Sequence, residues 1–242
     1  MRFSDKIAVI TGGGSGIGRA VCERLASEGC NVVVVDINEE DGEMIAQIIT
    51  AREQQAIFIK ANVAKSDDVR AIVRRTIEKW AKIDILVNSA AIMTHKPITN
   101  LDEDDWDHLM AVNLRASFLL CKYCLPHMEN GSIINISSIH GQRTDSNHIP
   151  YATSKAALEA FTRGLSCEYE PTKVRANCVA PGAVDTPLLW DNPNVKRGKE
   201  KIEGRIAKPE EIAAVIYFLA SEEASYINGA VIAIDNGRLV KL

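Results

Sequence analysis

Nothing in this sequence approaches ~18 consecutive apolar residues, so no membrane-spanning helix is expected. The opening residues, Met-Arg-Phe-Ser-Asp-Lys, run straight into the short apolar run IAVI. They lack the longer apolar core and small-residue cleavage site of a secretory signal, and the expected compartment is the cytoplasm. Basic residues are not in excess. The chain carries 28 Lys and Arg against 32 Asp and Glu, a net charge of −4. It therefore has no general positive field for nucleic acid or an anionic membrane. There is also no disulfide framework: six cysteines, at 22, 30, 121, 124, 167 and 178, are scattered through apolar or helical contexts, which suits buried thiols. The one Cys-x-x-Cys, from Cys121 to Cys124, has no second pair and no His-x-x-x-His beside it. That argues against zinc, and no metal centre is expected.

Linkers, repeats and low-complexity tracts are missing too, so residues 1–242 read as one domain. What is present is a regular alternation. Val- and Ile-rich runs occupy 6–11, 31–36, 56–61, 84–90, 132–137, 174–181 and 230–235. They are continuous rather than alternating, as expected of strands covered on both faces of a parallel sheet. Helical patterns fall between them near 17–28, 39–52, 67–80, 103–128, 151–169 and 209–220. This is an α/β pattern of right-handed βαβ units. It predicts a doubly wound Rossmann fold, a parallel sheet of about seven strands with helices on both faces. One long irregular connection, within 186–208, breaks the rhythm, and its residues 187–208 are expected to cover a substrate.

The first run leads directly into TGGGSGIG, Thr11 to Gly18. Glycines at 12, 16 and 18 between a strand and a helix permit a tight turn and a close backbone approach to a pyrophosphate at a helix N-terminus. The second run ends on Asp36, 18 residues beyond Gly18. A carboxylate there accepts hydrogen bonds from the adenine-ribose hydroxyls and repels a 2′-phosphate. Ser15, Ile37 and Asn38 are not basic, and Arg19 is expected along the helix surface. The predicted cofactor is NAD rather than NADP.

A second constellation lies in NISSIHGQRTDSNHIPYATSK, Asn135 to Lys155. Tyr151 and Lys155 share a helix face four residues apart. A tyrosine normally titrates near pH ~10, and a neighbouring ammonium favours its phenolate. Tyr151 is thus a candidate general acid/base tuned by Lys155, with Ser138 a candidate donor to the reacting oxygen. Asn113 is a poor helix former in the otherwise apolar LMAVNLRASFLL and needs buried partners.

These residues together resemble the short-chain dehydrogenase/reductase family over nearly the whole chain, from Lys6 to about Gly237. The resemblance rests on TGGGSGIG, Asp36, Asn62-Val63, NSAA at 88–91, Asn113, NISS with Ser138, YATSK and APGAVDT at 180–186. It implies catalysis by Asn113, Ser138, Tyr151 and Lys155, with Asn113 holding a water that reaches Lys155. It implies a cofactor held by Gly12, Ser15, Gly16, Ile17, Gly18, Asp36, Ile37, Asn62, Val63, Asn88, Ala90, Tyr151, Lys155, Pro181, Gly182, Val184 and Thr186. It also implies a homotetramer or homodimer, commonly joined through the helices near 103–128 and 151–169. The chain departs from the pattern at Asn62, where Asp is frequent, at Ala91, where Gly is usual, and at Asn236 in DNG.

For the small-molecule substrate, His140, His148, His95 and Met93 are candidate lining residues, and Leu188, Leu189 and Trp190 a candidate apolar cover. The polar residues around Ser138 favour a sugar, polyol or hydroxy acid. The basic stretch at 196–201 favours a 3-oxoacyl thioester, as in acyl-carrier reductases. A silent nucleotide-binding sensor and a pure scaffold are the non-enzymatic alternatives. The four converging groups and the retained cofactor turn count against them.

Overall fold

The structure is a computed structural model describing residues 2–170, 173–198, 202 and 204–240. Seven strands form one sheet: β1 (Ile7–Thr11), β2 (Asn31–Asp36), β3 (Ala56–Lys60), β4 (Ile85–Asn88), β5 (Gly131–Ile136), β6 (Val174–Pro181) and β7 (Val231–Ile234). Their order is β3-β2-β1-β4-β5-β6-β7, with every pair parallel. Among the described residues the helices are α1 (Gly16–Ser27), α2 (Glu39–Thr50), α3 (Ser66–Trp80), α4 (Glu103–Met110), α5 (Ala116–Cys124), α6 (Ile149–Glu168), α7 (Pro187–Trp190), α8 (Pro193–Lys196) and α9 (Pro209–Ala220).

The continuous apolar runs have a direct physical outcome. Successive side chains of a strand point to opposite faces, and here both faces are covered. Ala8, Ile10, Val32 and Val34 pack into one core with Val21 and Leu25 of α1, Ile45 of α2 and Ile216 of α9. Val9, Val33 and Val35 enter a second core with Ile72 of α3, Leu120 of α5 and Leu165 of α6. Burying each such Val, Leu or Ile contributes about 1.5–3 kcal/mol before conformational entropy is counted. Strand order reverses between β1 and β4, which leaves a crevice outside their carboxyl ends.

Two expected elements differ in form. The helical pattern near 103–128 is not one α-helix: a π turn at Ala111–Arg115 separates α4 from α5. The turn is centred on Asn113, whose amide is fixed by groups outside the helix. The connection expected to be irregular contains α7 and α8, each opened by a proline at its first position, where the missing N–H costs nothing. Residues 199–201 and 203 of that connection lie outside the described residues. Five of the six cysteines are buried, as expected, but Cys167 is exposed on α6.

Candidate active site

A cleft of about 760 Å³ opens at the carboxyl ends of the strands. Its wall runs from Asp36 and Ile37 at one end, past Ser15, Gly16 and Ile17, to Ser138, Tyr151 and Lys155.

The Asp36 end is shaped by backbone. Gly12 has φ 64° and Gly16 φ 50°, a region an L side chain enters only with strain. A Cβ on Gly18 would sit 2.1 Å from the Gly12 carbonyl oxygen. Gly18 therefore does not line the cleft; it lets α1 close against the turn. Asp36 holds the same turn through its carboxylate: Gly14 N–H donates to Oδ2 and Asn38 N–H to Oδ1, both at 2.9 Å. The nearby cations are engaged with other acids, Arg19 with Glu23 at 2.8 Å and Lys60 with Glu39 at 2.7 Å. Asn62 and Val63 line the wall, and Asn62 Oδ1 accepts the Ala64 N–H at 3.0 Å. A glycine-built turn at a helix N-terminus, ending on a carboxylate, fits a dinucleotide.

Thr11, which motif spacing alone did not single out, joins this turn to β4. Its hydroxyl oxygen accepts the N–H groups of Ser89 at 3.1 Å and Ala90 at 3.2 Å. Ala90 and Ala91 consequently line the cleft. Ala91 is not among the residues with positive φ, so the alanine sits there without backbone strain. The Asn88 side chain does not reach the cleft. It is buried and donates to Asn135 Oδ1 at 2.7 Å. The amide nitrogen thus joins β4 to β5, while the buried Oδ1 finds no partner among the described residues. Pro181, Gly182, Val184 and Thr186 do line the wall.

At the other end the surface is made by side chains of α6. Tyr151 is 5% exposed and Lys155 2%. Lys155 Nζ donates to the Ile136 carbonyl at 2.8 Å and lies 5.5 Å from the centre of the Tyr151 ring. Burial pushes the phenol up to about 12, and its hydrogen bond with Ser138 pulls the other way. Burial pushes the ammonium down to about 8. In the protein alone, burial thus works against the lowering expected from Lys155, whose ammonium is held by a backbone carbonyl.

Asn113 is 1% exposed and stands behind the cleft wall. Its Oδ1 accepts the Ile92 N–H and its Nδ2 donates to the Ile92 carbonyl, both at 2.9 Å. Nδ2 also donates to Ser154 Oγ at 3.2 Å. The side chain clamps the loop after β4 onto α6. Three imidazoles gather on the substrate side. The His148 ring lies 4.7 Å from both His95 and His140, and His140 lies 6.0 Å from Tyr151. His140, His148 and Met93 line the cleft. Trp190 does not. It is 43% exposed, and its Nε1 donates to Asp185 Oδ1 at 2.6 Å, so Leu188 and Leu189 form the apolar wall there instead.

Comparison with known proteins matches this arrangement. Residues 12–238 fit the family model described as Enoyl-(Acyl carrier protein) reductase. A 3-oxoacyl-[acyl-carrier-protein] reductase of Thermotoga maritima is 36% identical, covering 99% of this chain and 100% of its own. The chain belongs to the short-chain dehydrogenase/reductase family. A cis-4-hydroxycyclohexanecarboxylate dehydrogenase of Sinomonas cyclohexanicum is 35% identical over 97% of both chains. A short chain dehydrogenase from Burkholderia cenocepacia J2315, solved in complex with NADP, superposes with a TM-score of 0.89 at 33% identity. That comparison covers 97% of this chain and 98% of the other.

As a short-chain dehydrogenase/reductase, the protein is an oxidoreductase of CH–OH groups that works with a nicotinamide cofactor. The family's recurring motifs fall where the geometry needs them, on the turn after β1 and on α6. Arg143, Asp145, His108 and Arg238 also line the cleft. No motif marked them, because they come from three separate segments: His108 from α4, Arg143 and Asp145 from the loop before α6, and Arg238 from the stretch after β7.

Proposed function

We propose that this enzyme interconverts a secondary alcohol and a ketone, or a sugar hydroxyl and a lactone, using NAD(H), with Tyr151 as general acid/base. The observation that carries the reading is that Ser138, Tyr151 and Lys155, all buried, line the same cleft as Asp36. A nicotinamide dinucleotide bound along this wall would supply the hydride acceptor or donor, and a positive charge on its oxidised form would favour a phenolate at Tyr151. The phenolate oxygen of Tyr151 accepts the hydroxyl proton as the carbonyl forms; in reduction the phenol returns it. Ser138 donates to the reacting oxygen, where such a donor is worth on the order of 10²-fold or more. Lys155, kept close by the Ile136 carbonyl, supports the phenolate and would hold the nicotinamide ribose. Asn113 keeps the loop after β4 in register with α6 and, through its π turn, supports the water path to Lys155.

The preference for NAD rests on Asp36 and on the acidic first turn of α2, Glu39, Glu40 and Asp41. A 2′-phosphate brought here meets like charge, and Lys60 and Arg19 are engaged elsewhere. The NADP-bound relative makes this the point most worth testing.

For the substrate we favour a compact polar alcohol such as a hydroxy acid, polyol or sugar. His140, His148, Arg143 and Arg238 line the cleft together with the apolar Met93, Leu188 and Leu189. The hydroxycyclohexanecarboxylate relative has this chemistry. A 3-oxoacyl thioester is the second reading, favoured by the acyl-carrier-protein relative. Lys196 of the basic stretch is, however, paired with Asp191 at 2.7 Å. A second copy of the chain suits the apolar depression of Met110, Leu114, Phe118 and Phe161 on α4 to α6, as a dimer or tetramer contact. The unpaired thiols suit the cytoplasm.

The test follows nicotinamide absorbance with NAD⁺ and NADP⁺ in parallel. The panel holds hydroxycyclohexanecarboxylates, polyols, aldoses and 3-hydroxyacyl thioesters, with Tyr151→Phe as control. Turnover with NAD⁺ that the control loses by ~10²–10⁴-fold is expected. Undiminished turnover by the control overturns the role of Tyr151. A preference for NADP⁺ overturns that of Asp36.

A further inference from the structure

Behind the cleft wall lies a carboxyl group that the reaction scheme does not use. Glu159 is on α6, one turn beyond Lys155, and is 6% exposed. A buried carboxylate needs strong partners. Its Oε1 accepts the Ser137 hydroxyl at 2.9 Å and the Gln142 amide at 3.4 Å. The Ser137 hydroxyl also lies 3.2 Å from the Lys155 carbonyl.

These partners bracket Ser138. Ser137 follows the last residue of β5, and Gln142 follows the 3₁₀ turn Ile139–Gly141. Between them the chain is pressed flat on the helix. A Cβ on Gly141 would lie 2.9 Å from Glu159 Oε1 and 3.1 Å from the backbone of Lys155 and Ala156. Inside the bracket Ser138 Oγ accepts the His140 N–H at 3.2 Å, and Gly141 N–H donates to the Ser138 carbonyl at 2.9 Å. The turn is thus tied at both ends to one oxygen atom of the helix that carries Tyr151.

We propose that Glu159 is a positioning residue, whose buried carboxylate clamps Ser137 and Gln142 onto α6 and thereby holds the Ser138 hydroxyl against Tyr151. The inference rests on the reading that Ser138 and Tyr151 work as a pair. It assigns the two adjacent serines different tasks: Ser138 faces the reacting oxygen, and Ser137 anchors the turn that presents it. The titratable groups around the clamp are Lys155 on α6 and Cys178 on β6. The clamp does not depend on the titration of either of them, because a neutral amide at 159 can still accept from Ser137.

The test needs no substrate. Protein labelled with ¹³C at tyrosine Cζ reports hydrogen bonding at the phenol, and Tyr151→Phe assigns its signal among five tyrosines. Ser138→Ala sets the shift expected when the pair is broken. Glu159→Ala and Ser137→Ala are each expected to move the signal most of the way to that value, while Glu159→Gln stays near the parent. Glu159→Ala combined with Ser138→Ala should add nothing to Ser138→Ala alone, as a residue acting only through Ser138 requires. If Glu159→Ala does not fold, Ser137→Ala carries the same expectation. A Tyr151 signal left at the parent position by Ser137→Ala or Glu159→Ala, while Ser138→Ala moves it, overturns the clamp alone. A signal that Ser138→Ala itself fails to move overturns the pairing and the clamp with it. On any substrate turned over, kcat should fall about 10-fold in Glu159→Ala, with KM for the dinucleotide unchanged.

Discussion

At the Asp36 end of the cleft, function is a matter of backbone shape. Gly12, Gly16 and Gly18 matter for what they lack, and one carboxylate ties the turn that they make. At the α6 end, function is a matter of side chains and of what stands behind them. Tyr151 and Lys155 are buried, and a continuous polar layer backs them: Asn113 with Ser154, Ser137 with Glu159, Asn135 with Thr162, Asn88 with Asn135. A surface made of backbone tolerates little added volume. A surface made of hydrogen-bonded side chains tolerates volume better but is sensitive to each polar atom. The two ends should therefore fail in different ways.

The largest failure is expected from Gly18→Ala. The new Cβ cannot share space with the Gly12 carbonyl 2.1 Å away, and neither atom belongs to a flexible side chain. We expect a loss of about 3 kcal/mol or more in chemical denaturation, with dinucleotide binding lost by calorimetry. A variant that keeps parental stability and affinity would show that the turn is not rigid and would break the contrast.

The next effect belongs to the other end and is read by pH. The Lys155 ammonium is depressed from 10.5 to about 8 by burial. Its folded-state value lies below its unfolded one, so between pH ~8 and ~10.5 the unfolded chain binds the extra proton and stability rises with pH. The full gain approaches about 3 kcal/mol. Tyr151 acts oppositely: its phenol is raised to about 12, so its contribution is lost as pH rises from ~10 toward ~12. Burial also raises the thiols of Cys22, Cys30, Cys121, Cys124 and Cys178, so their contribution is lost above pH ~9 and total stability falls there. The lysine is therefore read as a difference: in denaturation of the cofactor-free protein, the stability of the parent minus that of Lys155→Met should rise between pH ~8 and ~10.5. A difference that stays constant over that range would break the assignment.

A smaller change returns to the Asp36 end. Asp36→Ser removes the charge that opposes a 2′-phosphate and also releases the Gly14 and Asn38 N–H groups. Hydrogen bonds to a charged group are worth about 1.5–3 kcal/mol. The ratio of NADP⁺ to NAD⁺ affinity should thus rise about 10- to 100-fold, measured as the two dissociation constants. An unchanged ratio would mean that discrimination is made elsewhere, and the acidic first turn of α2 would be the next place to look.

The same contrast explains what could be read from the chain alone. Local chemistry was legible: the runs from Asn31 to Asp36 and from Val174 to Pro181 are strands as bounded, and Pro209–Ala220 is a helix as bounded. The members of the glycine turn lie within a few residues of one another in sequence, and so do Tyr151 and Lys155, so periodicity reaches each group. The polar layer does not work that way. Thr11 meets Ser89 across 78 residues, Asn88 meets Asn135 across 47, and Ser137 meets Glu159 across 22. A side chain drawn into such a partnership, as Asn88 is, can sit in a family motif and still face away from the cleft. Asn113 was conspicuous as a polar residue in an apolar helix, but the π turn around it depends on Ile92 and Ser154, which only the fold brings near.

The smallest effect tests the region that belongs to neither end. Trp190 looks like a lid in sequence, an aromatic beside two leucines after the Pro181–Gly182 turn. Its indole N–H is instead committed to Asp185 at 2.6 Å, and its ring is largely solvent-facing. Leu189 lines the cleft, while the indole braces α7 from outside. Trp190→Phe removes one exposed hydrogen bond, worth about 0.5–1.5 kcal/mol. It should lower thermal stability slightly and change substrate KM less than about 2-fold, within the ~0.4 kcal/mol that such a factor represents. Leu189→Ala should raise KM more, because it strips apolar surface from the wall itself. If Trp190→Phe instead raises KM 10-fold, the indole must leave Asp185 and fold over the substrate during turnover. The cleft would then have a third working surface, one made by movement rather than by backbone shape or a hydrogen-bonded layer.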